Sequence, residues 1–377
     1  MNTFDCIVLG LGAMGSAACW AMARRGASVL GIEQFGIAHN RGSSHGETRI
    51  IRRSYFEHPD YVPLLDRSYE LWRELEAMTG AQLFTRTGLL VVDAPDGEVI
   101  VGIRRAAEQH NLTLQSLSAA DARREFPAFA IPEGLVASFE QDAGYLSVES
   151  CVRAMAQRAA VLGCQIHTDE RVTGWSSDGR IACVTTDRAT YEARRLIITA
   201  GPWAAQVLSD LGLGLRVLRK VQLWLGTSDD RTHLQSGFPV FCFVTNGFYY
   251  GFPSLDGQSM KIAEHSGEEL VASPESLDRG FHPRDAERVQ EFAQRHIRGV
   301  TTEVQRYSVC MYTMSSDGHF IIDRHPQFEN VAIAAGFSGH GFKFAPLIGE
   351  VLADLASDGH TRHPVGFLSL AARVQTT

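Results

Sequence analysis

Three glycines near the start of the chain, Gly10, Gly12 and Gly15, form the pattern G-x-G-x-x-G. An apolar strand, Phe4 to Leu9, precedes them, and a helix of about Ala13 to Arg25 follows. Glycines in this setting allow a tight turn, bring backbone N–H groups close to a pyrophosphate, and let the helix pack closely on the strand. The glycines alone also fit a structural turn, but their flanks favour a dinucleotide-binding βαβ unit.

The second strand of this unit ends at Glu33, after a helix stop at Gly26. An acidic residue at this position can accept hydrogen bonds from a ribose. The same fingerprint serves NAD and FAD, so it does not choose between them.

A second glycine turn lies near the other end of the chain, in "ENVAIAAGFSGHGFKFAPLIGEVLADLASDG". A strand, Val331 to Ala335, leads into Gly336, Gly339 and Gly341, and a helix of about Phe344 to Ala356 follows. The N-terminus of a helix attracts negative charge. Two such turns suggest a long cofactor held from both sides, which suits FAD better than NAD. A tight turn into a packing helix is the competing interpretation.

Composition excludes several classes of function. The chain has 377 residues with a net charge of -8, and no Lys/Arg run suggests a nucleic-acid partner. It lacks a signal-like start and an apolar run long enough for a membrane, so we expect a cytoplasmic protein. Its seven cysteines include no C-x-x-C, which argues against a disulfide framework and against a metal site.

The predicted fold class is α/β, with a Rossmann-type FAD-binding domain and a substrate domain containing an antiparallel sheet. Consecutive strands such as "KVQLWLGTS", "FPVFCFV" and "GFYYGFPS" predict that sheet. The FAD-binding domain is predicted to be discontinuous, with residues 1–83, 141–215 and 311–377. The substrate domain takes residues 84–140 and 216–310.

Two short stretches carry candidate cations. Ser44 and Glu47 form a possible capping box, and a helix starting there would place Arg49 and Arg52 on one face. From their spacing alone, two arginines on a solvated surface are slightly favoured over two arginines that bind an anion together. In "QSMKIAEH", strand alternation places Lys261 on the same face as Ala263 and His265. A solvent-facing strand explains this face as well as a site does.

The chain resembles the monomeric sarcosine oxidase family, which includes N-methyltryptophan oxidase. The matching segments occur in the family's order and, with the opening fingerprint, cover nearly the whole chain. They are "GSSHGETRIIRRSY", "YYGFPS" with "KIAEH", "SVCMYT", "HFIIDRHP" and "AAGFSGHGFKF".

The resemblance implies a covalent FAD, attached through the thiol of Cys310 to the 8α-methyl group of the flavin. It also places Arg49 near the flavin, which resolves the Arg49 and Arg52 alternatives toward function. With the glycine turns, the predicted cofactor contacts are Gly10, Gly12, Gly15, Glu33, Ser43, His45, Arg49, Gly201, Cys310, Gly339, Gly341 and Lys343.

For the reaction, the resemblance implies oxidation of a secondary amino acid by a monomeric enzyme, with O₂ as electron acceptor and H₂O₂ as product. Sarcosine would give glycine and formaldehyde. Arg52 and Lys343 would hold the substrate carboxylate. The predicted catalytic residues are Lys261, Arg49 and His265, and the other predicted pocket residues are Tyr250, Tyr312 and His340.

Departures from the family pattern leave the substrate open. Ser44 and His45 stand where two histidines are common, "FVTNG" replaces an acidic approach to "YYGFPS", and Phe56 replaces a common glycine. N-methyltryptophan, pipecolate or proline are alternative substrates. A non-catalytic flavin-binding redox protein is the alternative of another class. A nicotinamide dehydrogenase would leave Cys310 and the second glycine turn unexplained.

Overall fold

The computed structural model describes residues 3–374. The strands are β1 (Thr3–Leu9), β2 (Val29–Ile32), β3 (Thr48–Ile51), β4 (Phe84–Arg86), β5 (Leu89–Asp93), β6 (Gln115–Ser118), β7 (Val136–Glu140), β8 (Gly144–Ser147), β9 (Gln165–His167), β10 (Val172–Ser177), β11 (Ala182–Thr186), β12 (Thr190–Ile198), β13 (Arg216–Thr227), β14 (Val240–Thr245), β15 (Gly247–Gly251), β16 (Ser259–Glu264), β17 (Glu269–Val271), β18 (Val300–Met314), β19 (Ile321–Arg324) and β20 (Val331–Ala335). The α-helices are α1 (Ala13–Arg24), α2 (Tyr61–Thr79), α3 (Glu98–His110), α4 (Ala119–Glu125), α5 (Val148–Val161), α6 (Ala204–Val207), α7 (Arg284–His296), α8 (Ala345–Asp358) and α9 (Leu370–Val374).

The first sheet has eight strands and contains the predicted βαβ unit. Its order is β10-β11-β12-β1-β2-β9, with β20 beside β12 and β19 beside β20. The central strands are parallel, and β10 and β11 form an antiparallel meander with β12. Their apolar faces and helices α1, α5 and α8 form the buried core on this side. The α/β fold is confirmed, and both predicted glycine turns end buried strands of this sheet.

The second sheet has nine strands, in the order β17-β13-β16-β15-β14-β5-β7-β6 with β18 beside β13. It is antiparallel, as predicted, except where β14 pairs with β5 in parallel. This exception arises because β5 joins from a distant part of the chain and not through a hairpin. Strand β18 crosses the predicted boundary at residue 310. The division into two domains stays a prediction.

The predicted helix beginning at Ser44 is wrong, because the chain there forms β3 in a small sheet of order β3-β8-β4. The Ser44 hydroxyl accepts a hydrogen bond from Ala13 N (3.2 Å), at the start of α1, so it does not cap a helix of its own. Glu47 has a φ of +67°, which no α-helix tolerates. Three of the four residues of β3 are β-branched and favour a strand.

Among residues 3–374, no helix is both long enough and apolar enough to span a bilayer.

Candidate active site

A large cavity lies at the carboxyl ends of the parallel strands β1, β2, β12 and β20. Ligands of open α/β sheets bind at this edge. Gly10 has a φ of +81°, and a Cβ there would lie 2.7 Å from the Thr199 carbonyl oxygen. A Cβ at Gly15 would lie only 1.8 Å from the Gly10 carbonyl oxygen. Both positions therefore require glycine, one for the turn and one for the packing of α1.

Glu33 lies buried at one end of this cavity. Its carboxylate accepts hydrogen bonds from Leu11 N (2.8 Å) and Phe35 N (3.0 Å), and His39 Nε2 lies 3.3 Å from it. These contacts fix the carboxylate beside the glycine turn, where the sequence analysis placed a ribose contact.

Most predicted cofactor contacts line the large cavity. Those lining it are Gly10, Gly12, Glu33, Ser43, Arg49, Gly201, Gly339 and Gly341. Gly15 lies behind the turn, Lys343 lines a neighbouring cavity, and His45 and Cys310 lie buried just outside the lining.

Cys310 lies on β18 in a polar environment, although its side chain is fully buried. Its Sγ lies 3.6 Å from Arg49 Nη2 and 3.6 Å from the Ser43 carbonyl oxygen. Burial raises the pKa of the thiol, but the interactions with His45 and Arg49 outweigh this effect and lower it to about 6. At neutral pH this cysteine is therefore mainly a thiolate, the nucleophilic form.

A smaller cavity adjoins the first and shares four lining residues with it: Arg49, Tyr312, Gly339 and Phe342. Gly339 has a φ of +81°, and a Cβ there would lie 2.4 Å from the Tyr312 ring. Glycine at this position thus lets the second turn approach the wall between the two cavities. A molecule in the smaller cavity would lie directly beside one in the larger.

Two buried cations line the smaller cavity. Arg52 Nη2 donates to both carboxylate oxygens of Glu57, at 2.9 and 2.8 Å. Lys343 Nζ donates to the His340 carbonyl oxygen at 2.7 Å. Burial and the charge of Arg52 lower the pKa of Lys343 to about 7. Arg49 also lines this cavity, and Glu57 is the one carboxylate among the lining residues described, so the cavity carries excess positive charge even before Lys343 is counted.

The remaining polar groups of this cavity are neutral. Burial and the charge of Lys220 lower the pKa of His265 to about 3, and burial lowers that of His340 to about 4. Burial raises the pKa of both Tyr250 and Tyr312. His265 Nδ1 lies 3.3 Å from the Tyr312 hydroxyl. These groups offer hydrogen bonds without charge.

Lys261 lies on the strand face predicted for it but does not line the cavity that contains His265. Its Nζ donates to the Gly46 carbonyl oxygen and to the Thr48 carbonyl oxygen at 3.0 Å. Burial and the charge of Arg49 lower its pKa well below the ordinary value. A third cavity, lined also by Trp224 and Phe252, reaches Lys261 from another side.

Sequence reasoning missed Glu57 and Phe248. The ring centroid of Phe248 lies 5.8 Å from that of Phe56, the residue that replaces a common glycine, in the wall of the smaller cavity. An acidic residue five positions after Arg52 was a weak signal, because nothing local shows which surface it faces. Phe248 gave none, since it lies nearly two hundred residues from Phe56 and meets it only through the fold.

The large cavity fits FAD. The glycines at both ends provide close backbone approach, Glu33 lies at one end, and the cavity extends to the wall of the smaller pocket. Within residues 3–374, the buried His45 Nε2 has no hydrogen bond of ordinary geometry, and its interaction with Cys310 places it beside that thiol.

A cofactor cavity that opens on a small cationic pocket defines a dinucleotide-dependent oxidoreductase. The chain belongs to the FAD dependent oxidoreductase family, whose sequence model matches residues 5–355. It is 41% identical over 375 residues to monomeric sarcosine oxidase of Streptomyces avermitilis, covering 97% of this chain and 96% of the relative. It is 35% identical over 371 residues to N-methyl-L-tryptophan oxidase of Yersinia pestis, covering 98% and 99%.

Solved structures share the fold. The amino acid oxidase NikD superposes with a TM-score of 0.86 at 23% identity and covers 98% of each chain. Glycine oxidase of Geobacillus kaustophilus superposes with a TM-score of 0.82 at 20% identity and covers 98% of this chain and 99% of that one. The predicted family and the dependence on FAD are confirmed, and the protein is an FAD-dependent oxidoreductase.

Proposed function

We propose that this protein oxidises N-methyl amino acids of the sarcosine type, with O₂ as electron acceptor. The observation that carries the proposal is the contact between the FAD cavity and a small cavity with two buried cations and neutral polar groups. Sarcosine, O₂ and water would give glycine, formaldehyde and H₂O₂. FAD, when bound, supplies the redox chemistry by accepting two electrons from the C–N unit and passing them to O₂.

Arg52 and Lys343 hold the substrate carboxylate in this proposal. A planar guanidinium and an ammonium can together bind both carboxylate oxygens and fix the orientation of the substrate. Arg52 is engaged with Glu57, so a bound carboxylate must share or replace that partner. Carboxylate binding would also stabilise the charged form of Lys343, whose pKa lies near 7.

The neutral groups of the pocket orient the amine. With the pKa of His265 at about 3 and that of His340 at about 4, neither ring is charged at neutral pH. A ring nitrogen of His265 can accept a hydrogen bond from the amine, as can the Tyr312 hydroxyl beside it. These groups therefore orient the amine through hydrogen bonds and add no charge of their own to the pocket.

Lys261 and Arg49 act in the oxidative half of the reaction. Electron transfer to O₂ creates negative charge, which a nearby fixed cation stabilises strongly where water is excluded. Lys261 is held by the carbonyl oxygens of Gly46 and Thr48, so its position is set before O₂ arrives.

Cys310 attaches FAD covalently in this proposal. Its lowered pKa makes the thiolate available, and its contact with Arg49 places it beside the large cavity. We further propose that the enzyme is a monomer, as the names of its sarcosine oxidase relatives state for them. The cytoplasmic location stays a prediction.

The test is an absorption titration of the purified flavoprotein under anaerobic conditions. Sarcosine, N-methyl-L-tryptophan and L-pipecolate are added in turn, and glycine, which lacks the N-methyl group, is the matched control. We expect sarcosine to bleach the flavin, glycine to leave it oxidised, and peroxide to form when air is readmitted. A yellow protein that none of the three amines bleaches would rule out this substrate class. Preferential bleaching by either other amine would reassign the substrate.

A further inference from the structure

The charge of Lys220 has no place in the reaction described above, yet its side chain is buried. Lys220 lies on β13 directly opposite Cys310 on β18. Opposite residues of an antiparallel pair project from the same face, so Lys220 shares its face with Cys310 and with Tyr312, two residues further along. Its Nζ lies 5.2 Å from the centroid of the Tyr312 ring.

The Lys220 ammonium donates to three consecutive backbone carbonyl oxygens. They belong to His265 (2.7 Å), Ser266 (2.8 Å) and Gly267 (2.6 Å). An ammonium has three N–H donors, so this set uses all of them. A buried ammonium requires such partners to offset the loss of water.

These three residues form the turn that follows β16, and His265 is the first of them. The turn is fixed on its other side, because His265 N donates to the Phe248 carbonyl oxygen at 2.7 Å. Phe248 N in turn donates to the Ser266 hydroxyl at 3.0 Å. Lys220 therefore closes a set of hydrogen bonds around the backbone that carries the His265 imidazole.

We propose that Lys220 is a positioning residue for amine oxidation: it holds the 265–267 turn and thereby fixes the His265 imidazole and the Tyr312 ring at the wall of the substrate pocket. The inference rests on the proposed function. Lys220 itself touches neither the substrate cavity nor the cofactor cavity among their described linings. It acts through His265 and Tyr312.

The charge of Lys220 has a second effect. After burial, it is the largest influence that lowers the pKa of His265 to about 3. The other charged or titratable groups acting on the imidazole are Tyr312, His340, Lys343 and Glu57, of which Glu57 alone raises its pKa. Burial lowers the pKa of Lys220 itself to about 8, against the attraction of Glu264 and Glu268. The charge of the ammonium thus adds to burial in favouring the neutral form of His265.

The test is the Lys220→Met variant, with Arg216→Met as the matched control. Arg216 is an exposed cation on the same strand and contacts Glu268 at 3.3 Å, next to the turn. We expect Lys220→Met to lower kcat for the amine by about 10- to 100-fold, because loss of orientation has effects of this size. FAD content should stay at the parent level, and Arg216→Met should match the parent in both.

A second readout follows the His265 ring directly. NMR of histidine-labelled holoenzyme, with a His265→Gln sample to identify its signal, should show a higher His265 pKa in Lys220→Met than in the parent. Lys220→Arg keeps the cation and should restore the parent pKa. If Lys220→Met does not fold, Lys220→Gln, which removes the charge but keeps two N–H donors, takes its place in both measurements.

A parent-like kcat together with a parent-like His265 titration in the methionine or glutamine variant would overturn the inference. Failure of the proposed function looks different, since the parent itself would then oxidise no N-methyl amino acid. The NMR comparison would still show whether Lys220 lowers the pKa of the His265 imidazole.

Discussion

Replacing Glu57 by glutamine should tighten the binding of small carboxylates to the substrate pocket. Both carboxylate oxygens of Glu57 accept hydrogen bonds from Arg52 Nη2, at 2.9 and 2.8 Å, and the Glu57 side chain is only 17% exposed. A substrate carboxylate must therefore approach a cation that already has an anionic partner. Glutamine retains the shape and one acceptor oxygen but removes the negative charge.

The size of the effect follows from the charges. Two carboxylates about 5 Å apart at an effective dielectric constant of about 20 repel each other by about 3 kcal/mol. Since the amide oxygen can still accept a hydrogen bond from Arg52 Nη2, we expect about half of this, which is a decrease of about 10-fold in Kd. The Kd of acetate, which has no oxidisable C–N bond, can be measured from the perturbation of the flavin spectrum.

The same substitution should lower stability. The charge of Arg52 outweighs burial and lowers the pKa of Glu57 to about 2. A carboxyl whose pKa is depressed in the folded state stabilises it above the unfolded pKa, and that contribution disappears as the pH falls through about 2. The shift corresponds to about 3 kcal/mol. Thermal unfolding at pH 7 should therefore show a lower Tm for Glu57→Gln, and the difference should shrink in acid.

Asp66→Asn is the matched control for both measurements, because Asp66 pairs with Arg53 at 2.7 Å but is 56% exposed and outside the pocket. Its acetate Kd should equal that of the parent, and its Tm should change little, as expected for an exposed pair. Unchanged or weaker acetate binding in Glu57→Gln would refute the competition between Glu57 and substrate for Arg52.

Three further predictions concern single residues. Acetate binding should weaken as the pH rises through about 7, where Lys343 loses its charge. Lys343→Met should raise the Kd of acetate and abolish this pH dependence. If the variant kept the pH dependence of the parent, Lys343 would not bind the carboxylate. Cys310→Ser should release all flavin into the supernatant of an acid precipitate, whereas the parent pellet stays yellow; a parent pellet without flavin would exclude the covalent bond. Lys261→Met should slow reoxidation by O₂ at least about 100-fold in stopped flow, with anaerobic reduction by amine unchanged; equal loss in both steps would place Lys261 in amine oxidation instead.

The parts of the fold that the sequence predicted depend on neighbouring residues. The strands and helices around both glycine turns lie within two residues of their predicted bounds, because apolar period and glycine position act locally. The stretch after Ser44 was mispredicted, because its strand exists through pairing with β8, about a hundred residues away. Strand pairing with β8 outweighed the local preference of Ser44 and Glu47 for the start of a helix.

In the site, too, local sequence patterns failed where the geometry depends on residues distant in the chain. Arg49 and Arg52 do line one cavity, but not through a shared helix face: Arg49 lies on β3, and Arg52 follows the end of that strand. The family resemblance assigned both arginines to the site, and their roles stay predictions, whereas the spacing argument gave the wrong geometry for the pair. Glu57 could not be predicted as the partner of Arg52, because that pairing depends on how the chain turns between β3 and α2.

The charge balance of the site explains why both cavities belong to one function. Arg49, Arg52 and Lys343 line the smaller cavity, and Glu57 is the one carboxylate in its described lining. Burial lowers the pKa of both Lys261 and Lys343, so an anion bound beside either lysine would stabilise its charged form. In the proposed function an anionic substrate would do this for Lys343, and the charge that develops on O₂ would do it for Lys261. Because Lys261 lines a separate cavity from Arg52 and Lys343, substrate and O₂ would each meet a cation of their own.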